Sequence, residues 1–193
     1  MKKNIAVFAS GRGSNFLAIA KEIKKGKLKC SLLFLICDNP RAGVINKAKK
    51  MGIKVILESN ETRIAEHIKR EKINLIILAG FMRILSKEFI RKHQNRIINI
   101  HPSLLPSFKG KWGIKYAFDY GVRVTGVTVH FVDELIDHGP IILQDTVKIN
   151  TNDTIHSLEE RIHRIEHRIY PKAIKLFLEG KLSLKGRKVK ISN

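Results

Sequence analysis

Short apolar runs alternate with segments of helical periodicity through the first hundred residues. The apolar runs lie at 3–9, 29–37, 54–57 and 73–78, and the segments at 16–25, 41–51 and 61–70 carry apolar residues at helical spacing. The run at 29–37 is almost continuously apolar, as expected of a strand buried on both faces. Strands that alternate with helices of about ten residues predict an α/β fold with a doubly wound, mostly parallel sheet.

The second half of the chain has a different pattern. A strand at 96–100 ends before Pro102, a helix is predicted at 113–120, and residues 122–132 alternate well enough to pair with 141–149 as an antiparallel hairpin. A long helix is predicted at 154–178, with Asp153 or Thr151 as its cap, and a final strand at 182–191. No linker or repeat interrupts the sequence, so we expect one domain, 1–193, with halves at 1–100 and 101–193.

The composition is that of an ordinary globular protein, since 44% of the 193 residues are hydrophobic and 28% are charged. This excludes disordered and fibrous classes. No apolar stretch approaches the roughly 20 residues of a membrane helix, and no signal-peptide pattern is present, so we expect a cytoplasmic protein without a membrane partner. Cys30 and Cys37 are too few for a disulfide framework, and their odd separation places them on opposite faces of one strand. Both are expected as reduced core residues.

Positive charge is the unusual feature, because 37 Lys and Arg residues against 17 Asp and Glu residues give a formal net charge of +20. Such a charge is compatible with nucleic-acid binding, with small polyanionic substrates, or with a solvated lysine-rich surface. Aromatic residues are only 7% of the chain, and no nucleic-acid-binding motif is present. We therefore do not expect a nucleic-acid partner, although the charge alone does not decide the function.

A glycine loop joins the first predicted strand to the first helix. Its candidate phosphate-binding residues are Gly11, Arg12, Gly13, Ser14 and Asn15. Glycines let the backbone approach a ligand closely, and a helix N-terminus at the carboxyl end of a strand offers free N–H groups to an anion. The loop lacks the Lys-Ser/Thr pair of a Walker loop, and Phe16 occupies the position of the third glycine in a dinucleotide fingerprint. The predicted ligand is a single phosphate; a plain strand-to-helix turn is the alternative.

Asn99 and His101 are two residues apart at the end of a predicted strand, so they project from the same face. An amide beside an imidazole offers a donor for a developing oxyanion and a group that moves protons near neutral pH. Asp137 lies in the turn between the two hairpin strands, where a carboxylate can orient the imidazole or accept a proton. The spacing by itself favours the alternative of a structural histidine and a solvated turn aspartate.

Taken together, several motifs resemble the phosphoribosylglycinamide formyltransferases, a family within the folate-dependent formyltransferase superfamily. They are SGRGSN at 10–15, AGFMRIL at 79–85, NIHPSLLP at 99–106, and GVTVHFV at 126–132 followed by DHGP at 137–140. The resemblance extends over essentially the whole chain, including EHRIYP at 166–171. It implies the formyltransferase fold, whose N-terminal half is Rossmann-like. The NIHPS block alone identifies only the superfamily.

The resemblance implies transfer of a formyl group from 10-formyltetrahydrofolate, as co-substrate and without a metal, to the amine of glycinamide ribonucleotide in de novo purine synthesis. Its small-molecule substrates are then the only partners expected, and the protein is expected to be a monomer or a weak homodimer. The half 1–100 would hold the ribonucleotide phosphate on the glycine loop, and the half 101–193 would serve folate binding and catalysis.

The same resemblance implies roles for individual residues. Asn99, His101 and Asp137 match catalytic residues, and Glu166 matches a residue that contacts the ribonucleotide. The residues expected to bind folate are Met82, Arg83, Ile84, Leu85, Asn99 and, on a looser alignment, Arg63. The segment 132–139 is the natural candidate for a loop that closes over the folate. Trp112 departs from the family, where histidine is common at the matching position of the substrate loop.

Other interpretations stay open at this point. His163, Glu166 and His167 match the H-x-x-E-H pattern of inverted zinc proteases, but a basic helix meets so short a pattern by chance. His130 either lines the active site or is a satisfied core histidine. Methionyl-tRNA formyltransferase and formyltetrahydrofolate hydrolase share the folate and are alternative functions; the tRNA-binding and regulatory domains that they normally carry are not expected here.

Overall fold

The computed structural model describes residues 2–192, which form two compact units divided between Asn99 and Ile100. Across these residues no helix is both long enough and apolar enough to cross a membrane. The expectation that the chain acts as one domain, 1–193, stays a prediction.

Parallel strands and helices alternate along the first unit. The strands are β1 (Lys3–Phe8), β2 (Cys30–Cys37), β3 (Lys54–Leu57), β4 (Leu75–Leu78) and β5 (Ile97–His101), whose last two residues are counted with the second unit. The helices are α1 (Ser14–Lys24), α2 (Gly43–Lys50), α3 (Glu61–Arg70) and α4 (Lys87–Lys92). The strands are hydrogen-bonded in the order β3-β2-β1-β4-β5, so the strand order reverses between β1 and β4. The predicted doubly wound α/β fold is confirmed, and ligands of such sheets bind at the reversal point.

Helix α4 was not predicted from the sequence pattern. Ser86 caps it by accepting a hydrogen bond from the backbone N–H of Phe89 at 3.1 Å, and Phe89 and Ile90 are buried. Six residues are too few for a helical period to be recognised. His93 follows the helix and packs against the ring of Phe89, with 4.6 Å between the ring centroids. Neither ring nitrogen of His93 has a hydrogen-bond partner within residues 2–192, and burial lowers the pKa of His93 to about 4.

Strands β1 and β2 form the centre of this unit's core. Residues 5–8 of β1 and 34–37 of β2 are almost completely buried. Cys30 and Cys37 begin and end β2, and both are free and buried, as predicted. Burial raises the pKa of the Cys30 thiol to about 11 and also raises the pKa of Cys37. Both side chains are therefore core residues in the thiol form at neutral pH.

The second unit contains an antiparallel hairpin and a long helix, as predicted. Its elements are α5 (Gly113–Tyr120), β6 (Val124–Phe131), β7 (Ile141–Lys148), α6 (Ile155–Leu178), β8 (Leu182–Lys185) and β9 (Lys188–Ile191). Strands β6 and β7 are antiparallel, with Val127 opposite Asp145. Helix α6 packs against both strands, and Ile162 and Ile169 are among its buried residues.

Two local predictions for the second unit were wrong. The cap of α6 is Thr154, and neither Asp153 nor Thr151 has that position: Thr154 Oγ1 accepts from the backbone N–H of Ser157, whose Oγ accepts from the backbone N–H of Thr154. Several capping residue types stand in a row, so composition cannot choose among them. The tail is a two-stranded hairpin and not a single strand, because Gly186, with φ of 60°, turns the chain back.

Candidate active site

The glycine loop leaves the carboxyl end of β1 and enters α1, at the reversal point of strand order in the first unit. Ser10 donates its backbone N–H to Gly80 O after β4 at 3.0 Å, and its Oγ donates to Asp38 Oδ1 after β2 at 2.5 Å. The same hydroxyl accepts from the backbone N–H of Met82 at 2.9 Å. Ser10 therefore connects the ends of three neighbouring strands, which holds the start of the loop in place.

Gly13 is the N-cap of α1 and has a left-handed backbone, with φ of 75° and ψ of 37°. A Cβ at this position would lie 2.5 Å from Val44 Cγ2, and Val44 donates its backbone N–H to Gly11 O at 3.1 Å. No side chain of the described residues caps α1, and its first turn holds no acidic residue. Ser14 and Asn15 begin the helix, so their backbone N–H groups point toward the loop and are suited to an anion.

The segment from Met82 to Leu85 follows β4 and presents apolar side chains. Met82 and Ile84 are 60% and 74% exposed, Arg83 is also exposed, and Leu85 is buried. The segment is fixed at one end by the bond from Met82 to Ser10 and at the other by Ser86, whose backbone N–H donates to Glu61 Oε1 at 2.9 Å. Two exposed apolar side chains on a fixed segment can pack against a flat aromatic ligand.

Arg63 lies on α3, also in the first unit. Its guanidinium is exposed and lies 3.5 Å from Glu58 Oε2. The carboxylate of Glu58 also accepts from the backbone N–H groups of Ser59 and Asn60, which are the main reason that its pKa is lowered. An exposed cation of this kind is available to a carboxylate in solution, although its existing ion pair competes.

Strand β5 carries both Asn99 and His101. Asn99 is half-buried, and His101 is 4% exposed. His101 Nε2 lies 2.8 Å from the carbonyl oxygen of Phe108. A carbonyl oxygen can only accept, so Nε2 carries a proton. The other nitrogen, Nδ1, lies 3.3 Å from Asp137 Oδ2, and a hydrogen bond there requires a second proton on the ring or on the carboxyl. The pair is arranged to hold and move one proton.

Asp137 lies between β6 and β7 with φ of 46°, a conformation uncommon outside glycine. Its Oδ2 accepts from the backbone N–H of Gly110 at 2.8 Å, and its Oδ1 lies 3.8 Å from His130 Nε2. The side chains of His101 and Asp137 are 5% and 10% exposed. In so enclosed a site a carboxylate interacts strongly with the imidazoles beside it. The structure therefore brings Asp137 together with His101, as the resemblance implies.

His130, whose role the sequence left open, is buried beside this pair. Its Nδ1 donates to the carbonyl oxygen of Phe131 at 2.8 Å, so the proton of the neutral ring is on Nδ1. Burial lowers the pKa of His130. A neutral imidazole facing Asp137 leaves the carboxylate free to exchange its proton with His101.

The loop that follows His101 is held by a buried hydroxyl. Thr128 Oγ1 donates to Ser103 O at 2.7 Å and accepts from the backbone N–H of Leu105 at 3.0 Å. Gln144 Nε2 donates to the same hydroxyl at 2.9 Å and to Leu105 O at 3.0 Å. Because this network fixes the chain just after His101, it also fixes where the imidazole points.

Sequence reasoning missed Gly113 and Phe108 as contributors to the site. A Cβ on Gly113 would lie 3.0 Å from His101 Nε2 and 3.0 Å from Phe108 O, so only glycine leaves the imidazole and its carbonyl partner undisturbed. A glycine opening a helix is a weak sequence signal, and a backbone carbonyl gives none. Trp112, the neighbouring departure from the family pattern, is half exposed, with Lys111 Nζ 4.7 Å from its ring centroid.

Glu166 lies on α6 and is 4% exposed. It accepts from His163 Nδ1 at 2.9 Å. Burial, together with the charge of Glu166, raises the pKa of the Tyr170 hydroxyl. His163 and His167 stack with 6.4 Å between their ring centroids, yet no three side chains of residues 2–192 are arranged to hold a metal ion.

Comparison with known proteins gives consistent matches. The sequence model described as formyl transferase matches residues 3–174. A phosphoribosylglycinamide formyltransferase of Bacillus subtilis is 42% identical over 185 residues, which cover 91% of this chain and 95% of that protein. The trifunctional purine biosynthetic protein adenosine-3 of Bos taurus is 41% identical over 95% of this chain, which spans only 19% of that longer protein.

Among solved structures, glycinamide ribonucleotide transformylase 1 from Symbiobacterium toebii superposes with a TM-score of 0.96 at 37% identity. The superposition covers 100% of this chain and 95% of that one. The chain therefore has the fold of that transformylase.

Proposed function

The chain belongs to the formyl transferase family, and we propose that it transfers the formyl group of 10-formyltetrahydrofolate to the amine of 5′-phosphoribosylglycinamide. The products are N-formylglycinamide ribonucleotide and tetrahydrofolate, a step of de novo purine synthesis in the cytoplasm. Similarity to proteins named for this reaction, over 95% of the length of the Bacillus subtilis relative, favours it over the methionyl-tRNA and hydrolase alternatives. The observation that carries the chemistry is the 3.3 Å approach of His101 Nδ1 to Asp137 Oδ2.

Ribonucleotide binding is assigned to the glycine loop and to Glu166. The backbone N–H groups at the start of α1 suit a dianionic phosphate, and the absence of any acidic residue from the first turn supports this choice. The loop residues are Gly11, Arg12, Gly13, Ser14 and Asn15. The carboxylate of Glu166 would accept from the polar groups of the ribonucleotide.

Folate binding is assigned to the exposed apolar segment Met82 to Leu85 and to Asn99. Met82 and Ile84 are suited to pack on the pterin ring, while Arg83, and Arg63 once released from Glu58, would meet the glutamate carboxylates. Folate is consumed as a substrate and supplies the formyl carbon.

The proposed mechanism is direct attack without a covalent enzyme intermediate. Attack of the amine nitrogen on the formyl carbon places a negative charge on the formyl oxygen, which the Asn99 amide and protonated His101 stabilise. Phe108 O engages Nε2–H, so Nδ1 is the nitrogen that offers a proton. Asp137 accepts the proton that the amine loses. That proton passes to the folate nitrogen as its bond to the formyl carbon breaks, so the proton count balances.

The test is to incubate the purified protein with both substrates and follow the folate absorbance change. Asp137→Asn preserves shape but removes the charge, and we expect kcat to fall about 10²–10⁴-fold with little change in KM. Asp119→Asn is the matched control, because Asp119 is an exposed helix residue paired with Lys115.

Three results would contradict the proposal. They are formylation of methionyl-tRNA in place of the ribonucleotide, formate release without transfer, and near-normal kcat in Asp137→Asn with both substrates bound.

A further inference from the structure

The loop between β6 and β7 is closed tightly at its base. Phe131 donates its backbone N–H to Pro140 O at 2.9 Å, and a Cβ on Gly139 would lie 1.8 Å from Phe131 O. Beyond this base the chain carries Leu135 and Ile136, which are 59% and 54% exposed. Apolar burial therefore does not hold the tip of the loop, and polar contacts must fix it.

Asp133 supplies the contacts inside the loop. Its Oδ1 accepts from the backbone N–H of Leu135 at 3.1 Å, and its Oδ2 accepts from His138 Nδ1 at 2.7 Å. His138 directly follows Asp137 in the chain, so this bond joins the two ends of the loop beside the residue assigned to proton transfer.

Arg187, in the turn of the β8–β9 hairpin, makes a third set of contacts from a distant part of the second unit. Its Nη2 donates to the carbonyl oxygen of His138 at 2.5 Å. Its Nη1 lies 3.1 Å from His138 Nε2 and 4.0 Å from Asp133 Oδ2. One guanidinium thus contacts the backbone and the ring of His138 and approaches the carboxylate of Asp133, which joins the two ends of the loop. Its planar fork suits it to such combined contacts.

We propose that Arg187 is a positioning residue for the reaction: it holds His138, and through the adjoining peptide bond it holds Asp137 facing His101. Asp137 has a positive φ, a strained conformation that persists only when its surroundings impose it. Gly110 N–H holds its carboxylate from one side, and Arg187 holds the next residue, His138, by its carbonyl oxygen and its ring. The hairpin lies beyond residues 3–174, the part of the chain that the family model matches.

This inference rests on the proposed function, because it assigns Arg187 a part in proton transfer by Asp137. A small displacement of a catalytic group lowers the rate steeply, and we expect Arg187→Ala to lower kcat about 10–100-fold. The KM for the ribonucleotide should stay unchanged, because Arg187 does not contact the glycine loop's ligand under this assignment. Arg187→Lys retains a cation and a donor for His138 O, so its kcat should lie between those of the wild type and Arg187→Ala.

The decisive experiment is a double-mutant cycle with Asp137→Asn. If Arg187 acts through Asp137, then Arg187→Ala should lower kcat in the wild-type background and have almost no effect in the Asp137→Asn background. Lys188→Ala is the matched control, since Lys188 is an exposed cation on the same hairpin. A merely structural loss would lower kcat equally in both backgrounds and would overturn the proposal.

Hydrogen exchange of the amides at 134–139 gives a readout that does not depend on activity. We expect these amides to exchange faster in Arg187→Ala than in Lys188→Ala, in proteins of equal stability to urea. Equal exchange in the two variants would overturn the proposal even if the enzyme is active. A wild-type protein without formyl transfer, but with the expected exchange, would instead reject the proposed function and the catalytic part of this inference while leaving the contact itself established.

Discussion

Replacing Gly13 by alanine tests the backbone geometry of the glycine loop. The left-handed conformation of Gly13 costs an alanine about 1–2 kcal/mol. The new Cβ would lie 2.5 Å from Val44 Cγ2 and 2.9 Å from Val44 Cα, and overpacking of this kind typically costs about 1–3 kcal/mol. The reduced entropy of the unfolded chain offsets about 0.4–1 kcal/mol. We therefore expect Gly13→Ala to lower the free energy of unfolding by about 1–5 kcal/mol, with a central value of about 3 kcal/mol.

Urea denaturation of both proteins measures this difference. The midpoint should fall with an unchanged m value, and Tm should fall by about 2–20 °C. Gly11→Ala is the matched control two residues earlier, because a Cβ there meets nothing within 4 Å; its free energy of unfolding should change by less than about 1 kcal/mol. Equal stabilities of Gly13→Ala and Gly11→Ala would refute both the left-handed backbone and the close approach of Val44.

Two further predictions concern buried polar groups. Thr128→Val removes the hydroxyl shared by Ser103 O and Leu105 N, and we expect it to lower the free energy of unfolding in urea by about 2–4 kcal/mol, whereas Thr128→Ser should lose much less; similar losses in both variants would contradict the hydrogen-bonding argument. Burial lowers the pKa of His93 from 6.5 to about 4, so the unfolded chain binds a proton at this residue more readily than the folded protein. The fold therefore has its full stability above about pH 6.5 and loses about 3 kcal/mol as the pH falls toward 4. His93→Phe, which keeps a ring against Phe89, should therefore lose less stability than the wild type between pH 6.5 and 4, and parallel pH profiles in urea titrations would show that His93 is not responsible.

Most of the fold could be predicted because its central strands, such as β1 and β4, are largely buried and its helices are buried on one face. The run from Cys30 to Cys37 is apolar except for Ser31, since β2 lies inside the sheet of the first unit. The prediction failed where an element is shorter than its period, as in α4, or where several residue types compete for one position, as at Thr154. At Gly186 the signal was present, because a glycine inside an apparent strand indicates a turn or bulge.

The candidate site was predictable only in part from local patterns. The glycine loop is a local feature, and its position at the reversal of strand order follows from the alternation of strands and helices. The approach of His101 to Asp137 joins residues far apart in the chain, so the resemblance and not the spacing predicted it. The contacts of the Phe108 carbonyl and of Arg187 leave no pattern in the sequence, because they depend on where the folded backbone brings each group.

The two buried thiols of β2 can report on the unfolding of the first unit. Cys30 and Cys37 are completely buried, and a thiol whose pKa is raised reacts only as its scarce thiolate. A thiol-specific reagent can therefore modify them only in molecules whose central strand has opened. The rate of modification in a native solution, followed at increasing reagent concentration, measures how often β2 leaves the sheet. No engineered label is needed, and substrates that bind the folded state should slow the reaction in proportion to their affinity.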